Sequence, residues 1–129
     1  MKKSFVGAAR TAKRAYSPAV ITEGGKTIWV AGHTGAVDDA GQSLAGDFDA
    51  QCRQTFRNIE KTLAEAGAKL ADLVTMTVFL IDARNTTRMT ELRTEILGKD
   101  FPASAAITVA GFAQPAMMIE IQAVAVIDT

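Results

Sequence analysis

The stretch MMIEIQAVAVI, residues 117–127, sets a carboxylate, Glu120, inside an apolar and β-branched run, with Gln122 two places on. A buried carboxylate without a partner costs several kcal/mol or gives up its charge. Either this face of the strand reaches solvent or the residue does work. A lone acid among apolar neighbours can hold a water, take its proton and pass one to a leaving group. The alternative is a structural glutamate paired with a neighbouring chain's cation or backbone.

Other candidates are scattered. His33 is the single histidine, a base suited to neutral pH or a loop residue closing a strand. One histidine and no carboxylate pair at ligand spacing do not make a metal site, so no metal is expected. Tyr16 carries a hydroxyl that can donate into a cleft or sit at a core edge. Ser104, in PASAA, has no adjacent base and no nucleophile elbow. It reads as a polar contact or as a space-filling strand residue. Arg10, Lys13 and Arg14 cluster just before Tyr16. If that segment is extended, Arg14 and Tyr16 share a side, and Arg14 either reaches a cleft mouth or points to solvent. GGKT at 24–27 lacks the preceding glycine and the following helix of a phosphate loop.

The elements that must position these groups follow from periodicity. SFV at 4–6 suggests a short edge strand. AVITEGGKTIWVAG (19–32) predicts a hairpin about Gly24-Gly25. Asp47 is a helix N-cap candidate. After it, Phe48, Cys52, Phe56, Ile59, Leu63 and Ala66 form one apolar stripe, ended by Gly67. Cys52 is thereby a buried small hydrophobe. LVTMTVFLI (73–81) predicts a strand covered on both faces. Met89, Leu92 and Ile96 mark a second helix from about Thr87 to Leu97, closed by Gly98. SAAITVAGF (104–112) and Met117–Ile127 are the last strands. The order predicts one α+β domain over 1–129, two helices covering one face of a mixed sheet.

In the last strand Ile119, Ile121, Ala123, Ala125 and Ile127 point one way, under the helices. Met118, Glu120, Gln122, Val124 and Val126 point the other. Two helices cannot cover both faces, so the second is an oligomer interface or a ligand cleft.

Length and composition bound the rest. The chain has 129 residues, enough for one core. It is 48% hydrophobic and 22% charged, which excludes a disordered chain. Its formal net charge of zero gives no reason to expect nucleic acid and little repulsion against self-association. A single cysteine permits no intrachain disulfide. The N-terminal apolar stretch is broken by Arg10, and no run approaches the roughly 18 residues of a membrane span. A cytoplasmic protein without membrane contact is expected.

Taken in order, YSPAV (16–20), IWVAGHTG (28–35), QCRQTFRNIEKTLAEAG (51–67), DLVTMTVFLID (72–82), FPA (101–103) and IEIQAVAV (119–126) resemble the RidA/YjgF family of reactive-intermediate deaminases. The resemblance runs along nearly the whole chain. It implies a chorismate-mutase-like sandwich, a mixed six-stranded sheet with two helices on one face. It also implies a homotrimer with a central barrel and three intersubunit clefts. Archetypal members hydrolyse reactive enamines and imines to carbonyl compounds and ammonia without cofactor. By position, Glu120 matches the glutamate that handles water and Tyr16 the cleft tyrosine.

Three departures stand out. Ser104 replaces the arginine that follows FPA and clamps a substrate carboxylate. Ala31-Gly32-His33 replaces Ser-Gly-Gln, which puts Ala31 and His33 at substrate-binding positions. Thr90 stands where asparagine is common. This is the pattern of an arginine-lacking branch. The implied function is a cofactor-free hydrolase of an atypical small enamine or imine, an aminomuconate-like enamine among them, with Arg14 as a compensating cation. The alternative is a non-catalytic trimer, a small-ligand binder or chaperone-like protein.

Overall fold

A computed structural model describes all residues, 1–129. The elements run β1 (Lys2–Val6), α1 (Ala8–Thr11), β2 (Ala19–Glu23), β3 (Lys26–His33), α2 (Phe48–Glu65), β4 (Leu73–Leu80), α3 (Thr86–Leu97), β5 (Ala103–Thr108) and β6 (Ile119–Ile127). Asp47 caps α2 by accepting from the Ala50 amide at 3.0 Å, and Gly67 turns the chain out of it at φ 79°.

Six strands are present, but their ladder is divided. β3-β6-β4-β5 form one mixed sheet, while β1 and β2 pair as a separate antiparallel ribbon. The runs either side of Gly24-Gly25 are both strands, yet they do not pair as the expected hairpin. β2 lies on β1 and β3 on β6. Both glycines have positive φ. A Cβ at Gly25 would meet the Ile127 carbonyl oxygen at 2.6 Å and Met1 Cγ at 2.8 Å. This crowded corner turns the chain between the two sheets. β3 then takes the central partner, where Ile28 and Val30 stand opposite Ala125 and Ala123.

Both helices pack on one face of the four-stranded sheet. Phe48, Cys52, Phe56, Ile59 and Leu63 of α2 join Met89 and Leu92 of α3. Beneath them lie Leu73, Met76, Val78 and Leu80 of β4 and Ile119, Ile121, Ala123 and Ala125 of β6. Each fully buried aliphatic or aromatic side chain contributes about 1.5–3 kcal/mol. β4 alternates rather than being covered on both faces: Thr75 is exposed, and Thr77 and Phe79 are half-buried.

The opposite face is open within one chain. Trp29, opposite Val124, is 80% exposed, and Ile107 of β5 is 44% exposed. Two residues expected to be open on this face are not. Val126 is buried where the Gly25 corner folds over it. Met118 precedes the strand and packs partly against the core.

Candidate active site

Glu120 is held by what lies before and beside it. Buried Gln51 of α2 donates to the Leu44 and Ala116 carbonyls at 3.1 and 2.8 Å and accepts from the Met118 amide at 2.9 Å. That clamp fixes the chain entering β6, and register places Glu120 opposite Phe79 on the open face. Across from it β3 carries a bulge between Val30 and His33. Bulges re-aim side chains and are common beside active sites. Here the bulge brings Gly32 beneath the Glu120 side chain, so close that a Cβ would meet Glu120 Cδ at 2.9 Å. Glu120 is half-buried and pairs with no cation of its own chain. Ala31 lies nearby, lining a shallow groove with Trp29, Gln122 and Val124.

The bulge turns His33 away from this face. Its register partner is Ile121, on the helix side. Nδ1 lies 2.7 Å from the Ala31 carbonyl oxygen, an acceptor, so Nδ1 carries the proton. Nε2 is left to accept from the Thr62 hydroxyl at 2.8 Å. Both ring nitrogens are engaged, and the histidine joins β3 to α2 instead of standing beside Glu120.

The remaining candidates meet on the other side of the sheet. Ser17 donates through Oγ to the Phe101 carbonyl at 2.6 Å and through its amide to Pro102 at 3.0 Å. The Tyr16 segment is thereby pinned to the start of β5, and Thr11 donates its hydroxyl to the Tyr16 carbonyl. Arg14 is not in an extended segment: Ala12–Arg14 is a single 3₁₀ turn and Ala15 has φ 61°. The turn still sets the Arg14 guanidinium over the Tyr16 ring, 5.5 Å from its centroid, a cation–π contact. Arg14, Tyr16, Thr90, Ser104 and Ala105 line one cleft of about 290 Å³.

A further residue lines that cleft, and sequence reasoning missed it. Arg93 of α3 is 3% exposed. Its Nη1 donates to Ser104 Oγ at 2.7 Å and its Nη2 to the Arg14 carbonyl at 3.1 Å, while Nε has no partner. A guanidinium therefore stands against the residue whose identity suggested that none would be there. Burial pushes Arg93 down to about 10, which leaves it a cation at neutral pH. The sequence did hold a signal. Arg93 is four residues after Met89 and next to Leu92, on the apolar stripe of α3. Cys52 is chemically idle, since burial pushes its thiol up to about 12.

Within one chain the acid and the cations are on opposite faces of the sheet. Glu120 faces the open side and Arg93 the helix side, through Ser104, which pairs with buried Met76. No group of three or more His, Cys, Asp or Glu could hold a metal ion, and no helix is long and apolar enough to cross a membrane.

The model of a family described as Endoribonuclease L-PSP matches residues 7–127. A RutC family protein of Pyrococcus abyssi is 35% identical over 101 residues, covering 78% of this chain and 79% of its own. The human 2-iminobutanoate/2-iminopropanoate deaminase is 32% identical over 111 residues, covering 86% and 79%. Among solved structures, the Yersinia pestis Rid family protein YyfB superposes with a TM-score of 0.85 at 26% identity, over 98% of this chain and all of that one.

Proposed function

The chain belongs to this family, the Rid or YjgF proteins, and we propose that it is a cofactor-free hydrolase of small imines or enamines, working as a homotrimer. In this reading the open face of each sheet packs into a central barrel. Glu120 of one copy is carried to the Arg14–Tyr16–Arg93 cleft of the next. The observation that carries the proposal is the seat of Glu120: a half-buried carboxylate without a cation, over a glycine that leaves room for it.

The chemistry needs little more. Glu120, as the carboxylate, accepts a proton from a water that attacks the imine carbon. With the imine protonated, the resulting carbinolamine receives that proton on nitrogen, its hydroxyl gives a proton back to the Glu120 carboxylate as the C–N bond breaks, and the products are a carbonyl compound and ammonia. An enamine first takes a proton on carbon to give the imine. The relatives named as 2-iminobutanoate/2-iminopropanoate deaminases support this reaction class. The guanidinium here comes from α3 in place of the strand position after FPA. The substrate accordingly differs in shape from those short imino acids, an aminomuconate-like enamine being one candidate.

The test is ammonia release from a panel of freshly generated imines and enamines. General acid–base catalysis is worth about 10²–10⁴-fold, so Glu120→Gln should cost that much in kcat. No ammonia above background from any member, or equal rates for wild type and Glu120→Gln, would favour a non-catalytic ligand-binding trimer.

A further inference from the structure

We infer that Arg93 is the receptor for an anionic group of the ligand, a carboxylate, at the floor of the cleft lined by Arg14, Tyr16, Thr90 and Ser104. The inference deepens the hydrolase reading, because it names the substrate class of the same site.

The argument starts from an unbalanced charge. Arginine is almost never fully buried unless paired, and leaving a buried charge unpaired is strongly destabilising. The two half-buried arginines of the helices each have a carboxylate: Arg53 pairs with Glu95, and Arg88 with Asp49 and, at longer range, Glu91. Arg93 is more buried than any of these and is in no ion pair. Both of its partners are neutral, a serine hydroxyl and a main-chain carbonyl.

The donor count gives the same result. A guanidinium has five N–H donors, and two are engaged here. Nε is buried and has no partner. The engaged donors hold the plane of the group from two sides, α3 to β5 through Ser104 and α3 to the Tyr16 segment through Arg14. Fixed in that way, the group still has N–H bonds to give, and it borders a cleft. A planar fork with free donors suits a carboxylate's two oxygens. Arg14 adds a second cation at the exposed rim, stacked on Tyr16.

The experiment uses the full-length protein and three probes: 2-oxobutanoate, muconate, and uncharged 2-butanone. In ¹⁵N-labelled wild type, the Arg93 Nε–H resonance should shift on titration with one or both carboxylates and stay in place with 2-butanone. By calorimetry, Arg93→Met should weaken the carboxylate that binds by about ten- to a hundredfold, the loss expected for charge-assisted hydrogen bonds. Arg93→Lys keeps the charge but not the fork and should fall between. Binding of 2-butanone should be the same in all three proteins. An Nε–H resonance unmoved by both carboxylates at high concentration would overturn the inference, whether or not the variants fold. So would carboxylate affinity unchanged in a folded Arg93→Met. Carboxylate binding at Arg93 in a protein that releases no ammonia would leave the receptor standing and remove the hydrolase. Ammonia release from a carboxylate-bearing imine with a KM unaffected by Arg93→Met would do the reverse.

Discussion

Gly32→Ala isolates the placement of Glu120 from its presence. The added Cβ would stand 2.9 Å from Glu120 Cδ and 3.2 Å from Cγ. Carbon atoms pack best at about 3.5–4.0 Å, so relief of the contact moves the carboxylate by about 1 Å. Gly32 does not have the positive φ that penalises alanine, and the clashing atoms are the end of a flexible side chain. The fold should therefore survive, with a stability change of about 0.5 kcal/mol or less in either direction. Catalysis should not survive so well. A 1 Å misplacement costs about a hundredfold, or about 2.7 kcal/mol in the barrier. The assay is steady-state ammonia release beside a urea melt on the same preparation, with Glu120→Gln and the double variant run in parallel. If Gly32→Ala acts only through the carboxylate, it should add almost nothing to Glu120→Gln. A Gly32→Ala enzyme within about twofold of wild type, or a loss that multiplies with that of Glu120→Gln, would show that the glycine seat is not what positions the acid.

Trp29 is the single tryptophan and is 80% exposed in one chain. Its fluorescence should shift to the blue as the chains associate, and Trp29→Glu should shift sedimentation toward the monomer; an emission maximum that does not change with dilution to monomer would count against burial of the open face. Mixed after unfolding and refolding, Glu120→Gln and Arg93→Met chains should regain about a quarter of wild-type activity, since that fraction of randomly assembled intersubunit clefts takes both intact residues; no recovery would place the two groups in separate sites. Asp39, Asp49 and Glu95 are held below the usual carboxylate range by hydrogen bonds from Lys61, Arg88 and Arg53. A depressed folded pKa means the folded state binds fewer protons than the unfolded one, so the stability these pairs supply is present above about pH 4 and is lost as the pH falls through the folded values. The loss should be small and weakened by salt, because the side chains of all three pairs are 38–59% exposed, and urea midpoints that stay constant from pH 7 to 3 would contradict it.

The legible part of the fold was the part that depends on one period at a time. The α2 stripe from Phe48 to Leu63 is buried as its spacing requires, and Met89 and Leu92 fix the inner face of α3. Partnership between strands was less legible. Nothing in AVITEGGKTIWV states that the glycine pair marks a boundary between two sheets, because that depends on Met1 and the Ile127 carbonyl, over a hundred residues away from each other in the chain, meeting at Gly25. β6 is shorter than its composition predicts, for a related reason. Met117 and Met118 have strand-like composition, but Gln51 takes the Met118 amide before the ladder can.

The site divides along the same line. Glu120 was visible because strand parity is local: an acid at an alternate position in an apolar strand must face one side or the other. Arg93 was not, because its meaning lies in the contact of α3 with β5. Read along the chain, Ser104 is a lost arginine and Arg93 a charge on a helix. Read in space, they are one arrangement, in which the serine removes the bulk that would exclude the guanidinium and then accepts its hydrogen bond at 2.7 Å. The two positions should therefore be coupled. An arginine placed at 104 would set two cations against each other, and like charges that close are destabilising. An arginine at 104 alone is expected to harm this protein, and Ser104→Arg should become tolerable only together with Arg93→Met.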